Sequence, residues 1–432
     1  MRIKRFILIL ILLTISITLL APFTQVQAVN TSVPEVDFPI YSQGAVLMDS
    51  STGKILYGKN ENDKLYPAST TKILTAIIAI ENYNLTDKVT ANNSAIMAIP
   101  LGYSNAAIQP GEALTVQELL ELFLIHSANE VGYIFAEDIS GSINSFANLM
   151  NKKATEIGCK NTHFTNPRGI HNVEHYSTAY DMALIAQYCM KNSTFRNIVS
   201  MTSCTIEPTD KYEKRYFKNT NDLLDSKSKY YYANAIGIKT GFTTQAKNCL
   251  IAASKKDNME LITVALGAEA TTDGRSGRYV DTINLFNYGF DNYKIEKINT
   301  ANTEVQNLII ENATKETKNL PLVLKNDISA LVPTNIDIAN LNYNININND
   351  ISAPIAEGDV LGKITYTIDG ISYSSDLIAT HSVEEFNYYL LAIQIASAII
   401  VLLILLKIIF FRKKKKKKKK YYRNYDSIYK FN

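Results

Sequence analysis

Tyr66-Pro67-Ala68-Ser69-Thr70-Thr71-Lys72-Ile73-Leu74-Thr75, running on into the apolar Ala76-Ile77-Ile78-Ala79-Ile80, is the stretch on which the reading of this chain turns. Proline is tolerated in a first helical turn, hydroxyl side chains favour helix starts, and an apolar run follows. The segment therefore predicts a helix that opens at the Ser/Thr cluster and runs over 71–81. On such a helix Ser69 and Lys72 stand three residues apart on one face, where hydroxyl and amine can meet. A serine hydroxyl becomes a useful nucleophile when a neighbour takes its proton. A lysine does this when burial or another cation keeps its amine neutral. S-x-x-K alone is equally an ordinary helix start with a surface lysine, so the weight falls on its company.

Two further motifs supply that company. In Leu124-Ile125-His126-Ser127-Ala128-Asn129-Glu130 a serine and an asparagine lie two apart between helical patterns. A hydroxyl there can relay a proton, and the Asn amide offers both a donor and an acceptor to a substrate amide. Lys239-Thr240-Gly241 ends a predicted strand. Its cation and hydroxyl suit a carboxylate, Gly241 lets substrate approach the backbone, and the Lys239 charge would depress the pKa of Lys72. Each triplet alone is an unremarkable turn or cap; their order along one chain is not.

At 432 residues with 46% hydrophobic content, the chain can build a large core and a second domain. Its formal net charge of +3 hides segregation. Of 44 bases, Arg2, Lys4 and Arg5 lie in the leader and twelve lie from Lys407 onward, leaving 29 against 40 acids between them. That acidic body excludes nucleic acid as its natural partner. The four cysteines have neither C-x-x-C spacing nor a paired framework, so neither a zinc site nor a disulfide scaffold is indicated, and no cofactor is expected.

Arg2, Lys4 and Arg5, the apolar run Phe6 to Leu20 and Val26-Gln27-Ala28 read as a secretory signal over 1–28. A hairpin over Gly44–Asp49 and Lys54–Tyr57 leads into the Ser69 segment. Helical patterns follow at 115–123, 130–139 and 142–157, and another runs to Met190 behind a Ser177 or Thr178 cap. Strands at 236–239, 249–254 and 261–266 precede a helix over 280–288. Strands at both ends with helices between imply one mixed sheet covered by helices, an α/β (α+β) domain over 29–293. Short β-prone pieces at 303–310, 320–324, 329–332 and 362–368, with an Asp369-Gly370 hairpin turn, give a small all-β domain over 294–385 without a catalytic constellation. A nearly unbroken apolar run over 386–411 is long enough to cross a bilayer, and the basic tail 412–432 places that end in the cytoplasm. Everything from Val29 to Glu385 is then extracellular, on a single C-terminal span, and the lysine run faces anionic lipid.

The set Ser69-x-x-Lys72, Ser127-x-Asn129 and Lys239-Thr240-Gly241 resembles the serine penicillin-recognising enzymes, above all the low-molecular-weight D-alanyl-D-alanine carboxypeptidases. The likeness extends to Asn161-Thr162-His163-Phe164-Thr165-Asn166-Pro167-Arg168-Gly169 and to His175-Tyr176-Ser177-Thr178-Ala179-Tyr180-Asp181. It implies Ser69 as the acylated nucleophile and Lys72 as its proton acceptor, with Ser127 passing the proton to the leaving D-alanine. Asn129 would hold the donor peptide, and Lys239 and Thr240, with Gly241 beside them, its terminal carboxylate. The backbone N–H groups of Ser69 and Phe242 would form the oxyanion hole. The implied substrate is the peptidoglycan stem pentapeptide, with β-lactam antibiotics as covalent inhibitors. Glu130-Val131 departs from the Asp-Ala common in the family, a change expected to bear on helix packing. The full membrane span departs from the amphipathic anchor of many relatives.

A β-lactamase is the nearest rival, but its E-x-x-L-N motif is missing between Asn129 and Lys239. His171-Asn172-Val173-Glu174-His175 matches a zinc motif, which needs a helix where Pro167-Arg168-Gly169 and a fresh cap at Ser177 predict a loop. No G-x-S-x-G elbow surrounds any serine, which removes a Ser-His-Asp hydrolase. A catalytically silent, membrane-tethered wall-binding protein is the remaining alternative.

Overall fold

The structure, a computed structural model, describes the backbone of residues 33–97, 99 and 102–428, with side chains as far as 421. The expected leader lies outside the described residues. Two compact units divide the chain. The first holds residues up to Glu296 together with Ala330–Asn340 and Ile368–Ile371, and the second holds the remainder.

In the first unit β1 (Gly44–Asp49) and β2 (Ile55–Lys59) form the predicted hairpin. A 3-10 turn at Ala68–Thr71 follows and passes into α1 (Lys72–Asn82). Strands β3 (Lys88–Thr90) and β4 (Ala113–Thr115) make a small ribbon before α2 (Val116–Glu121). Thr115 and Glu118 close a capping box there, as S/T-x-x-E sequences do. Helices α3 (Asn129–Ser140), α4 (Ile143–Ile157), α5 (Ala179–Met190) and α6 (Ser193–Val199) come next. Of the two caps foreseen for α5, Thr178 serves, accepting from Asp181 N at 3.0 Å. A hairpin of β5 (Ser203–Ile206) and β6 (Arg215–Lys218) precedes β7 (Ala235–Thr243), β8 (Lys247–Lys256) and β9 (Met259–Ala268), and α7 (Gly277–Asn292) follows.

The main sheet is antiparallel in the order β2-β1-β9-β8-β7. Alternation along its strands assigns residues to two cores, because successive side chains leave opposite faces. Val46, Met48, Ile251, Ile262 and Val264 join the core that contains α1. Ala45, Leu47, Leu250 and Leu261 face Leu285 and Phe286 of α7. Each buried Leu, Ile or Phe contributes roughly 1.5–3 kcal/mol. Every residue of α1 from Lys72 to Ala79 is buried, the polar Lys72 and Thr75 included, so this helix is central to the domain.

Apart from Ile368 and Ile371 at the β13–β14 turn, the second unit holds β10 (Glu304–Ile309), β11 (Asn319–Leu324), β12 (Tyr343–Ile347), β13 (Val360–Ile368) and β14 (Ile371–Ala379), which form one sheet in the order β10-β11-β14-β13-β12. Strand β11 alternates exposed Asn319 and buried Leu320, Leu322 and Leu324, the pattern of a half-buried strand. The Asp369-Gly370 turn has positive φ at both residues, as the pair predicts. Beyond it α8 (Tyr388–Ile428) contains a span long and apolar enough to cross a membrane.

Candidate active site

The Ser69 turn differs from the expected simple helix start. Ala68 has φ +48°, Thr70 donates through N and Oγ1 to Pro67 O, and Thr71 Oγ1 bonds His175 Nε2 at 2.9 Å. With their hydroxyls committed, the threonines do not cap α1, and no side chain caps it. The tight turn places Ser69 just ahead of the helix and Lys72 as its first residue, with Lys72 Nζ 3.3 Å from Ser69 Oγ. The left-handed Ala68 stores roughly 1–3 kcal/mol, as backbone strain beside functional side chains commonly does.

Ser127 and Asn129 arrive by a second irregularity. After α2 the chain makes a π turn over Leu122–His126 and leaves it through Ser127 in the left-handed region, φ 67°. The sequence predicts a helix ending at 123; the extra turn carries the serine to the lysine. Lys72 Nζ donates to Ser127 O at 2.7 Å, Ser127 Oγ at 2.9 Å and Asn129 Oδ1 at 2.9 Å. Lys72 is 0% exposed. Burial first, then the charges of Lys239 and Arg168, hold its amine well below the ordinary lysine range, with Glu130 opposing.

The third motif lies within a strand and not at its end. Lys239, Thr240 and Gly241 pair with Ile251, Leu250 and Cys249, and β7 continues to Thr243. A Cβ on Gly241 would sit 3.0 Å from Ser69 N and 3.1 Å from Ala68 Cβ, so its bareness serves the approach of β7 to the Ser69 turn. A Cβ on Gly169 would stand 1.7 Å from Ala68 O, at φ +77°, so a second glycine braces the same turn. Lys239 is buried, its Nζ has no hydrogen-bond partner among the described residues, and burial with Arg278 brings it down to about 7. Thr240 Oγ1 lies 2.7 Å from Thr220 Oγ1. Phe242 turns its side chain to solvent.

These groups surround a cleft of about 560 Å³ lined by Ser69, Ser127, Asn129, Thr240, Gly241 and Phe242, among others, with Lys72 and Lys239 buried behind it. The structure thus brings together all eight residues singled out in the sequence. It adds Arg278, which the sequence reading missed, and gives Glu130 a second contact. Arg278, in the first turn of α7, lines the cleft and donates to Gly241 O at 3.2 Å; a lone arginine after Ser276-Gly277 carries no local signal. Glu130, expected to bear on packing, is buried and also accepts from Ala106 N at 2.6 Å, next to the cleft's edge. The segment His171–His175 is loop, and no group of three or more His, Cys, Asp or Glu suited to a metal occurs among the described residues. His175 is buried there and held down to about 3 by desolvation, with its ring against Thr71.

A covered antiparallel sheet with a serine, a buried lysine and a second serine at its edge defines a penicillin-binding type of domain. The chain belongs to the serine-type D-alanyl-D-alanine carboxypeptidase family, whose model matches residues 28–270, and the model of the penicillin-binding protein 5 C-terminal domain matches residues 293–385. It is 35% identical over 335 residues to the D-alanyl-D-alanine carboxypeptidase DacF of Bacillus subtilis, covering 76% of this chain and 82% of that one. It is 30% identical over 373 residues to DacA of Haemophilus influenzae, covering 84% and 91%. The solved structure of penicillin-binding protein 5 from Haemophilus influenzae superposes with TM-score 0.63 at 29% identity, over 82% of this chain and 100% of that one.

Proposed function

We propose that this protein removes the terminal D-alanine of peptidoglycan stem pentapeptides through an acyl-enzyme on Ser69. The observation that carries the reading is the buried Lys72 amine within hydrogen-bond reach of both the Ser69 and Ser127 hydroxyls. Ser69 Oγ attacks the penultimate D-alanine carbonyl while its proton passes to Lys72. The tetrahedral oxyanion is received by the Ser69 and Phe242 N–H groups, a contribution of about 10²–10³ in rate per donor. Ser127 then delivers the proton to the departing D-alanine nitrogen and the C–N bond breaks. Asn129 holds the peptide amide, and Lys239 with Thr240 receives the terminal carboxylate. Water completes the cycle, releasing the shortened peptide and restoring the serine.

A neutral Lys72 is the working form, so acylation rises with pH through its depressed titration and is lost below it. β-Lactams, whose ring amide takes the place of the scissile bond, acylate the same serine and stay, in keeping with the missing E-x-x-L-N motif. The boundaries 29–293, 294–385, 386–411 and 412–432 then separate catalytic domain, β-rich spacer, span and cytoplasmic tail, with the catalytic domain outside the cell.

Full-length protein in detergent, incubated with fluorescent penicillin, tests this. A stable covalent band that disappears in Ser69→Ala is expected, and mass spectrometry of a stem pentapeptide should show loss of one alanine. A rapidly fading band would turn the reading to a β-lactamase, and no band to a silent wall-binding protein.

A further inference from the structure

We propose that Glu130 is a positioning residue: from the first turn of α3 its carboxylate fastens the segment Tyr103–Ile108 at the lip of the cleft, and through that segment the Asn129 amide. The kinetic part of this inference rests on the acyl-transfer reading above; the mechanical part does not.

The segment enters the cleft wall through Tyr103 and Ser104. Its backbone is held from several elements at once. Ser104 O accepts from Asn129 N at 3.0 Å and from Asn129 Nδ2 at 2.8 Å, which leaves Asn129 Oδ1 turned to Lys72 at 2.9 Å. His126 Nε2 lies 3.1 Å from Asn105 O, and Arg215 Nη1 donates to Ala106 O at 3.1 Å. These contacts hold carbonyl oxygens. The Ala106 N–H is taken by Glu130 Oε1 at 2.6 Å, inside the protein. Glu130 is 2% exposed; its own N–H and the Ile108 N–H also act on the carboxylate, and Oε2 makes no further close hydrogen bond among the described residues. Burying a carboxylate is costly, and backbone N–H groups of Ala106 and Ile108 on the lip offset part of that cost, so packing alone does not account for glutamate here. An aspartate at the same place on α3 is one methylene shorter and falls short of Ala106 N unless helix or lip moves. Asn129 precedes Glu130 directly, so any such movement reaches the amide that faces both Lys72 and the cleft.

The carboxylate also faces charge. Lys72 of α1 and Arg168 of the 166–170 loop act on it or are acted on by it, Tyr103 and Tyr133 flank that arginine, and Lys239 of β7 stands behind Lys72. Burial raises the Glu130 carboxyl, and its anion counters the cations that hold Lys72 neutral. Removing the charge while keeping the length should therefore lower the pH at which Lys72 loses its proton.

The test compares full-length wild type, Glu130→Asp and Glu130→Gln in detergent. Hydrogen exchange of residues 102–108 should be about tenfold faster in Glu130→Asp and within about twofold of wild type in Glu130→Gln. Fluorescent-penicillin acylation should fall about tenfold in Glu130→Asp at every pH, with KM for the stem peptide rising more than kcat falls. Glu130→Gln should keep its plateau rate within about threefold and move its acidic limb to lower pH. Wild-type exchange of 102–108 in Glu130→Asp overturns the proposal, as does loss of protection throughout the first unit, which would make Glu130 a packing residue. An unmoved acidic limb in Glu130→Gln removes the electrostatic part. Should wild type itself take no penicillin, the acyl-enzyme reading fails while the exchange result still decides the fastening.

Discussion

The two units of this chain solve the problem of a protein interior in opposite ways. In the second, the core is built from Leu320, Leu322, Leu324, Ile364, Leu377 and their apolar neighbours, and Ser375 is the polar side chain buried among the described residues. In the first, Lys72, Lys239, Arg168, Glu130, Arg215 and Glu112 are all buried. Arg215 and Glu112 meet head to head. Burying charge is costly even where hydrogen bonds offset part of the desolvation, so a domain that does it repeatedly around one cleft is organised for reactivity at the expense of stability. The silent unit shows what the same chain does where only packing is at stake.

The largest effect that could break this contrast is at the charged cleft. Ser69→Ala should abolish covalent penicillin labelling, and Lys72→Met should slow acylation by about 10³-fold, while the melting midpoint of neither falls in proportion. Stopped-flow acylation and calorimetry on the same samples decide it; a Lys72→Met protein that acylates normally ends the argument. Next, Leu322→Ala in the second unit should cost about 2–5 kcal/mol in that unit's unfolding, read by calorimetry, and leave the acylation rate within error. Lys239→Met should do the reverse. It removes a buried amine that lacks a hydrogen-bond partner among the described residues, so it should raise stability by about 1–3 kcal/mol while weakening productive binding of peptides with a free terminal carboxylate. Comparing peptide acids with peptide amides reads the second half.

The smallest effect concerns His175, held in the folded protein at about 3 against an ordinary 6.5. Its folded pKa lies below its unfolded one, so unfolding takes up a proton between those values. The neutral ring's contribution is complete above about 6.5 and is lost as pH falls toward 3. His175→Gln should flatten the dependence of the melting midpoint on pH across that window. An unchanged slope would show that the ring does not stay neutral beneath the Ser69 turn.

Much of this was legible beforehand, for physical reasons. Periodic apolar runs announce α1, α4 and α5, and alternation with β-branched residues announces β7 to β9. The motif residues were legible because their chemistry is unusual in combination. What escaped is geometry that no residue type encodes. The left-handed Ala68 and the 3-10 turn sit where Gly241 of β7 and Gly169, both distant in sequence, close on that segment. The π turn before Ser127 has no compositional mark. Arg278 comes from a helix 209 positions beyond Ser69 and is found only by folding. Strands of three or four residues, such as β3 to β6, fall below the length at which a period can be counted.

The close seat of Gly241 against the Ser69 turn also narrows how this cleft can vary in sequence. A methyl group at 241 meets Ser69 N and Ala68 Cβ at 3.0–3.1 Å, and those are neighbours that cannot swing aside. Phe242, 62% exposed and one position further along the strand, carries no such restriction. Variation that changes the width of the opening is therefore channelled outward, to the rim, while the floor of the cleft stays the same.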